Sequence, residues 1–315
     1  MSGSQRLLIQ LRGLRADRIR RLLASARDAS AFRGDELAGR TVANLFFENS
    51  TRTRVSFTLA AQRLGASVVD VSGKGSSVSK GETLGDTART LEAMGVDALV
   101  VRCSQSGGAR LVGESVSCAV LSAGDGKHEH PTQALIDALT LSRAMGRETD
   151  FDLSGVRVAI VGDCAASRVA RSNIACLTTL GAEVVCCGPP AMAPGALAGL
   201  GCSVSNNLDE ILGDVDAVMA LRIQFERYGA GGPGIGSPRE YRARYGLTHE
   251  RAERMRAGAW VMHPGPCNRG LEIDSAVADS ERSLILRQVS TGPSVRMAAL
   301  VSCAQACRQS CTGAG

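Results

Sequence analysis

The sequence has few aromatic residues and no long hydrophobic run. Aromatic side chains make up 3% of its 315 residues, whereas glycine occurs 36 times. A core built from Ala, Val and Leu with closely packed backbone favours an α/β protein over an all-β protein. No run of 18 apolar residues occurs, and no apolar signal segment is found near the N-terminus. We therefore expect neither a membrane-spanning helix nor a membrane partner.

The 11 cysteines lack the spacing of a disulfide framework or of a zinc site. No C-x-x-C pair occurs, and Cys186 and Cys187 are adjacent, which disfavours their pairing. Cys303, Cys307 and Cys311 fall on one helical face, which is more typical of a core stripe than of zinc ligands. We therefore expect a cytoplasmic protein with reduced thiols and no bound metal.

Arginine supplies most of the positive charge. The formal net charge is +5, and only three of the 36 Lys and Arg residues are lysines. Arginine binds phosphate and carboxylate groups through two parallel hydrogen bonds, so this composition suits an anionic small substrate. The Arg-rich stretch at residues 12–27 carries apolar residues at helical spacing, which predicts the solvated face of an amphipathic helix. Nucleic acid is therefore not an expected partner.

Helix-like and strand-like stretches alternate along the chain, which predicts parallel strands joined by crossover helices. A single core rarely exceeds about 250–300 residues, so a chain of 315 residues predicts two domains. Each domain is expected to be α/β, with a central parallel sheet flanked by helices. We place the first domain at residues 1–131, completed by a C-terminal helix at 292–315, and the second domain at 132–291.

The predicted strands end in polar residues, and open parallel sheets bind ligands at the carboxyl ends of their strands. Strands are predicted at residues 41–47, 66–71, 98–102, 119–122, 157–161, 184–187, 215–221 and 260–262. Helices are predicted at residues 15–28, 56–64, 83–94, 131–146, 168–180 and 295–307. Functional residues are therefore expected directly after the strands.

The run Ser50-Thr51-Arg52-Thr53-Arg54 follows a predicted strand directly and opens a helix. The N–H groups and the positive dipole end of a helix start form an anion site. Hydroxyl and guanidinium groups add further donors there. A simple N-cap by Ser50 or Thr51 would explain one hydroxyl group but not five consecutive polar residues. The run therefore predicts a phosphate site.

Four further polar segments accompany this run. They are SSVSKGE at residues 76–82, HPTQ at 130–133, LRIQ at 221–224 followed by Glu226-Arg227, and HPGP at 263–266. The five motifs resemble, in the same order, those of the aspartate and ornithine carbamoyltransferase family, and the resemblance extends over residues 5–308. The HPGP form is similar to that of the aspartate branch, whereas the ornithine branch typically has HCLP.

The resemblance implies that carbamoyl phosphate reacts with L-aspartate to give N-carbamoyl-L-aspartate and phosphate, in pyrimidine biosynthesis and without a cofactor. Such a reaction needs fixed donors where charge develops and positioning of two anions that repel each other. The alternatives are a carbamoyltransferase for ornithine or another amine, a non-catalytic scaffold homologue and a Rossmann-type nucleotide-binding protein. The full G-x-G-x-x-G is absent after Val161. Arg52, His130 and Lys80, which a scaffold would be expected to lose, are present.

The resemblance implies catalytic roles for Arg52, Thr53, Lys80, Arg102 and His130. The implied contacts are Ser50, Thr51, Arg52, Thr53 and Ser76 for the phosphate, Thr53, Arg102 and His130 for the carbamoyl oxygen, and Gln133 with the carbonyls of Pro264 and Gly265 for the carbamoyl NH₂. His130 is implied to be a hydrogen-bond donor rather than a general base.

Contacts to aspartate are implied for Lys80, Arg168, Arg222 and Gln224. The two carboxylates of aspartate call for at least two cationic anchors, and arginine suits this role. Ser76 and Lys80 lie in a Gly/Ser-rich segment that is implied to be a lid reaching a neighbouring subunit. The resemblance thus implies a homotrimer with shared active sites. Regulatory chains or a dihydroorotase are further candidate partners.

Two residues and one segment depart from the family pattern. Cys103 stands where many members have histidine, and we expect it to alter local packing without removing Arg102. Gly265 is small for its position, but its identity is expected to matter little because its carbonyl acts. The Gly-rich segment 229–238 predicts a loose loop and a weaker affinity for aspartate.

Overall fold

The computed structural model describes residues 5–72, 82–224 and 237–312. The chain divides into two compact units. Unit 1 contains the residues up to Ile136 and those from Thr291 onward, and unit 2 contains Asp137–Ser290. Both divisions fall within continuous helices, Pro131–Ala144 and Ile285–Thr312. Each of these helices therefore contributes residues to both units.

Unit 1 is built around a parallel sheet. Its described elements are β1 (Leu7–Leu8), α1 (Ala16–Arg27), β2 (Thr41–Phe46), α2 (Thr51–Arg63), β3 (Ser67–Ser72), α3 (Leu84–Ala93), β4 (Ala98–Cys103), α4 (Gly108–Ser115), β5 (Ala119–Asp125) and the start of α5 (Pro131–Ala144). The strand order is β1-β5-β4-β2-β3, and every pairing is parallel. Strands β4 and β5 are buried along their whole length, and both begin with the unbroken apolar runs, Ala98–Val101 and Ala119–Leu121, that are typical of parallel strands covered on both faces.

Unit 2 repeats this plan with a second parallel sheet. Its described elements are the end of α5, β6 (Arg157–Val161), α6 (Arg168–Thr179), β7 (Glu183–Cys187), β8 (Ser203–Ser205), α7 (Leu208–Ile211), β9 (Ala217–Ala220), α8 (Pro238–Tyr245), α9 (His249–Glu253), β10 (Trp260–Met262), α10 (Ser275–Ala278) and the start of α11 (Ile285–Thr312). The strand order is β10-β9-β6-β7-β8. The predicted fold class, two α/β domains with parallel sheets flanked by helices, is confirmed.

The carboxyl end of β6 requires a glycine. Gly162 has φ +132°, a backbone conformation that side chains disfavour. A Cβ atom at this position would lie 3.1 Å from the Cβ of Leu221 and 3.2 Å from the Cδ1 of Ile223. The absence of a side chain therefore lets the segment after β9 pack closely against the end of β6.

Several predicted boundaries are wrong. Helix α2 begins at Thr51 rather than at residue 56, β5 continues to Asp125, and α11 begins at Ile285 rather than at residue 295. Helix α11 contains Pro293, which removes one backbone hydrogen bond, and residues before and after the proline, Thr291 and Val295, are buried. The predicted loop 229–238 lies outside the described residues except for its last two, and Pro238 begins α8.

None of the described helices is long and apolar enough to cross a membrane. Among the described residues, no three His, Cys, Asp or Glu side chains are grouped as metal ligands. In α11, Cys303 is 1% exposed and belongs to the core, whereas Cys307 is half-buried and the side chain of Cys311 lies outside the described residues, so the predicted core stripe is borne out at Cys303 alone.

Candidate active site in two sets of strand-end residues

In unit 1, the predicted phosphate site lies on the first turn of α2, where the chain leaves β2. Ser50 is the N-cap residue, and Thr51, Arg52 and Thr53 are the first three helical residues. The Ser50 side chain makes no capping hydrogen bond to this helix, so the simple N-cap interpretation is wrong. The backbone N–H groups of this turn and the exposed Arg52 therefore sit at the positive end of the helix dipole.

Arg102 is held firmly near the end of β4, the neighbour of β2. Its side chain is 11% exposed. Nη1 donates to the carbonyl oxygen of Ala123 at 2.9 Å, and Nη2 donates to Oε1 of Glu48 at 2.9 Å. These two acceptors fix the plane of the guanidinium group. Glu48 was not identified from the sequence, where its one signal is a carboxylate just before the Ser50–Arg54 run.

His130 and Gln133 lie at the start of α5, which follows β5. His130 is 4% exposed, and its carbonyl oxygen accepts a hydrogen bond from the Gln133 N–H at 3.0 Å. Strands β5, β4 and β2 are consecutive in the sheet and parallel. The fold therefore brings His130, Arg102 and the start of α2 to the same edge of the unit 1 sheet.

The residues beside His130 have structural roles. The buried Glu129 carboxylate accepts hydrogen bonds from the backbone N–H groups of Leu11 at 2.6 Å and Arg12 at 3.1 Å. His128 Nδ1 lies 3.2 Å from Oδ2 of Asp125. Glu129 thus links the N-terminal segment to the start of α5.

Arg296 is a buried cation in unit 1 that was not identified from the sequence. It is 4% exposed, and its Nη1 donates to Ser56 Oγ in α2 at 2.8 Å. Its guanidinium carbon lies 5.0 Å from the centre of the Phe57 ring. The available signal was an arginine within an otherwise apolar stretch of α11. Arg296 therefore places a second buried charge next to the helix that carries the predicted phosphate site.

Cys103 packs against the start of α4. A Cβ atom on Gly108 would lie only 2.6 Å from the Cys103 sulfur. The thiol donates to Oδ1 of Asp125 at 3.3 Å, and the same carboxylate accepts from the N–H groups of Gly107 and Gly108 at 3.0 and 3.1 Å. Cys103 therefore contributes to local packing beside Arg102 without displacing it.

In unit 2, the residues predicted to contact aspartate follow neighbouring strands. Helix α6 begins at Arg168 after β6, and Ser167 caps it by accepting the Ala170 N–H at 3.1 Å. Arg222 and Gln224 follow β9, which pairs with β6. All three side chains are half-buried. The sheet order therefore brings Arg168, Arg222 and Gln224 to one edge of the unit 2 sheet.

The turn after β10 contains Pro264 and Gly265. Gly265 has φ +68°, and its N–H donates to Nδ1 of His263 at 2.8 Å. Because Nδ1 accepts, the imidazole proton is on Nε2, which lies 3.2 Å from Oε1 of Glu272. The His263 and Glu272 side chains are 0% and 1% exposed. The identity of residue 265 thus matters more than the sequence suggested, because this φ favours glycine.

The remaining predicted site residues cannot be placed. Ser76 and Lys80 lie outside the described residues, as do Glu226 and Arg227. The described candidates form one set in each unit, and their individual roles stay predictions.

Comparisons with known proteins agree with these motifs. A family model described as "Aspartate/ornithine carbamoyltransferase, carbamoyl-P binding domain" matches residues 6–143, and the "Asp/Orn binding domain" model matches residues 154–303. The "Aspartate carbamoyltransferase catalytic subunit" of Myxococcus xanthus is 53% identical over 95% of this chain and 99% of its own length. The protein of the same name from Novosphingobium aromaticivorans is 56% identical over 84% of this chain and 78% of its own.

A solved structure is also similar. The aspartate transcarbamoylase of Trypanosoma cruzi, in complex with carbamoyl phosphate and aspartate, has a TM-score of 0.82 and 29% identity, covering 94% of this chain and 95% of that one. The family models together cover most of the sequence, and the curated relatives match it at high identity. The chain therefore belongs to the aspartate/ornithine carbamoyltransferase family.

Proposed function

We propose that this protein transfers the carbamoyl group of carbamoyl phosphate to the amine of L-aspartate, giving N-carbamoyl-L-aspartate and phosphate. The observation that carries the proposal is the first turn of α2, where Ser50, Thr51, Arg52 and Thr53 surround a helix N-terminus at a strand end. The choice of aspartate is supported by relatives named aspartate carbamoyltransferase at 52–56% identity.

In this proposal, unit 1 binds and activates carbamoyl phosphate. The N–H groups of α2 and Arg52 balance the charge of the phosphate, which grows as it leaves. Arg102 is rigidly held by Glu48, so it can donate to the carbamoyl oxygen without rearrangement when that oxygen becomes negative. Thr53 and His130 supply further donors. The buried Thr53 and His130 also keep this oxygen away from bulk water, which strengthens each hydrogen bond.

Aspartate is assigned mainly to unit 2. Arg168 and Arg222 would each bind a carboxylate, and Gln224 would donate from its amide. The amine nitrogen attacks the carbamoyl carbon, the bond from that carbon to the phosphate oxygen breaks, and the released phosphate takes the amine proton. Two arginines at this edge would repel the second ammonium group of ornithine, which favours aspartate electrostatically.

The discriminating experiment measures product formation from carbamoyl phosphate with L-aspartate and, in parallel, with L-ornithine. We expect carbamoyl aspartate and no citrulline. Citrulline alone would contradict the assignment of Arg168 and Arg222 to aspartate. A folded protein that forms neither product would favour the scaffold alternative.

We also propose a homotrimer with shared active sites, supported by the name "catalytic subunit" that the relatives carry. Mixing two inactive variants, Lys80→Ala and His130→Ala, tests the sharing directly. If Lys80 acts in a neighbour's site, random reassembly restores about one quarter of the sites, whereas unshared sites stay inactive. Sedimentation of the wild-type protein checks the subunit number. The cytoplasmic location and the further partner chains stay predictions.

A further inference from the structure

A chain of buried hydrogen bonds runs through unit 2. At one end, the Asp137 carboxylate accepts at Oδ2 from Asn173 Nδ2 and at Oδ1 from Gln288 Nε2, both at 2.8 Å. In the middle, the His263 N–H donates to Gln288 Oε1 at 3.0 Å, and His263 Nε2 donates to Glu272 Oε1 at 3.2 Å. At the other end, Asn268 Nδ2 donates to the Ile223 carbonyl at 3.0 Å. The Asn268 N–H also donates to Oε1 of Glu272. Except for the half-buried Asn268, these side chains are 0–3% exposed.

Each end of this chain is attached to a segment that carries candidate site residues. Asn173 lies in α6, whose first residue is Arg168. The Ile223 carbonyl lies between Arg222 and Gln224. His263, in the middle, precedes the turn with Pro264 and Gly265. The hydrogen bonds therefore couple three separate strand ends within unit 2.

The direction of the middle hydrogen bonds is fixed. The Gln288 amide donates through Nε2 and accepts through Oε1, so a flipped amide would lose both contacts. His263 accepts the Gly265 N–H at Nδ1, which requires the proton on Nε2, facing Glu272. The backbone and the ring of His263 are thus both held in a single orientation.

We propose that His263 is a positioning residue for carbamoyl transfer, with Glu272 and Gln288 as its supports. Its Nδ1 atom holds the Gly265 N–H, which lies in the same peptide plane as the Pro264 carbonyl, and thereby sets the direction of that carbonyl. This inference rests on the proposed function and on the implied contact of the Pro264 carbonyl with the carbamoyl NH₂. A displacement of about 1 Å in such a group lowers the rate about 10²-fold.

Two substitutions of His263 separate its two nitrogen atoms. Asparagine places its side-chain oxygen where Nδ1 lies and keeps an acceptor for Gly265, whereas glutamine keeps a donor for Glu272 at the Nε2 position. We expect His263→Asn to retain kcat within about tenfold, because the acceptor for the Gly265 N–H is kept. We expect His263→Gln to lose about 10²-fold in kcat with a smaller change in the KM for carbamoyl phosphate.

Glu272 provides an independent pair of variants. Glu272→Gln keeps an oxygen that accepts from both His263 and Asn268, and its second polar atom replaces Oε2, which has no hydrogen bond among the described contacts. Glu272→Leu removes both acceptors. We expect Glu272→Gln to stay within about tenfold of the wild-type kcat. We expect the kcat of Glu272→Leu to fall about as far as that of His263→Gln. Thermal unfolding of all four variants shows whether stability losses are matched.

Imidazole ¹⁵N chemical shifts test the same arrangement without catalysis. The chain has four histidines, so His263→Asn assigns the His263 signal by its disappearance. A neutral ring with the proton on Nε2 near pH 7.5 supports the proposal, and a proton on Nδ1 overturns it. Equal kcat losses in His263→Asn and His263→Gln would also overturn it. A wild-type protein that forms no carbamoyl aspartate would refute the proposed function, while the tautomer would still be measured.

Discussion

Units 1 and 2 share a sheet plan but hold their candidate residues in different ways. In unit 1, each buried cation has its own anchor: Arg102 contacts Glu48, and Arg296 contacts Ser56. In unit 2, one chain of hydrogen bonds couples several strand ends. A helix start supplies an anion site from backbone groups alone. A site made of side chains from three strand ends needs those ends fixed relative to one another.

The largest effect is expected in unit 1. Arg52→Ala should lower kcat about 10²–10³-fold, because the charge that develops on the leaving phosphate loses its guanidinium partner. Arg63→Ala, an exposed arginine at the other end of α2, is the matched control and should leave kcat unchanged. Steady-state assays of carbamoyl aspartate formation measure both. A similar loss in the two variants would mean that helix charge in general, rather than the site, is responsible.

A smaller and different effect is expected in unit 2. Arg222→Ala should raise the KM for aspartate about 10–100-fold, since a charged hydrogen bond contributes about 1.5–3 kcal/mol. The KM for carbamoyl phosphate should change little. Arg244→Ala serves as control, because Arg244 is exposed and pairs with Glu240 on α8. Equal changes in the KM values for aspartate and for carbamoyl phosphate would contradict the assignment of aspartate to unit 2 and of carbamoyl phosphate to unit 1.

An ion pair in unit 2 that is separate from the hydrogen-bond chain should affect stability rather than rate. Arg251, 8% exposed, donates to both carboxylate oxygens of Asp209 at 3.0 and 2.9 Å. It also donates to the carbonyls of Ala243 and Gly246 at 2.7 and 2.9 Å, at the end of α8. Asp209→Asn should lower the free energy of unfolding by about 1–2 kcal/mol. This is at the low end of the range for hydrogen bonds to charged groups, because Asp209 is partly exposed.

The same variant should show a defined pH dependence. The hydrogen bond from Arg251 holds the pKa of Asp209 below its usual value. This carboxylate therefore stabilises the fold above its unfolded pKa of about 4, and the contribution disappears as the pH falls through the lower folded pKa. The stability difference between wild type and Asp209→Asn should shrink below about pH 4. Urea unfolding between pH 3 and pH 8 measures it, and a constant difference would contradict the pairing.

The smallest effect concerns thiol reactivity, and here the two units should behave alike. Burial raises the pKa of Cys187 in unit 2 and of Cys303 in unit 1 to about 12. Both stay protonated at pH 8 and should resist alkylation. Among cysteines with described side chains, the half-buried Cys267 and Cys307 should react first. Mass spectrometry of the alkylated native protein measures the order, and early labelling of Cys187 alone would mean that unit 2 opens more readily.

The sequence predicted those features that depend on neighbouring residues. The apolar runs predicted the strands, and the Ser50–Arg54 run predicted an anion site where α2 begins. The strands β1 and β8 and the helices α4, α7, α8, α9 and α10 were not predicted, since elements of two to eight residues carry little measurable periodicity. The start of α11 was missed because a proline usually marks a helix boundary, whereas α11 continues through Pro293.

The side-chain contacts of the site could not be predicted from the sequence, because the contacting residues are far apart along the chain. Gln288 and Asp137 are 151 positions apart, and Arg296 and Ser56 are 240 apart. No spacing rule links residues at such distances, so only the folded chain reveals these pairs. His263 was identified as part of a motif, but its partner Glu272 and its tautomer follow from the packing of the turn after β10.

The division within α5 and α11 also bears on the order in which the two units fold during synthesis. Residues 137–290 form unit 2 as one uninterrupted segment, whereas unit 1 needs the stretch from Thr291 onward. A ribosome therefore delivers all of unit 2 before it delivers the last part of unit 1, including Arg296. Domains fold as units during synthesis. We therefore expect unit 2 to fold first, and unit 1 to complete its fold only after α11 has been synthesised.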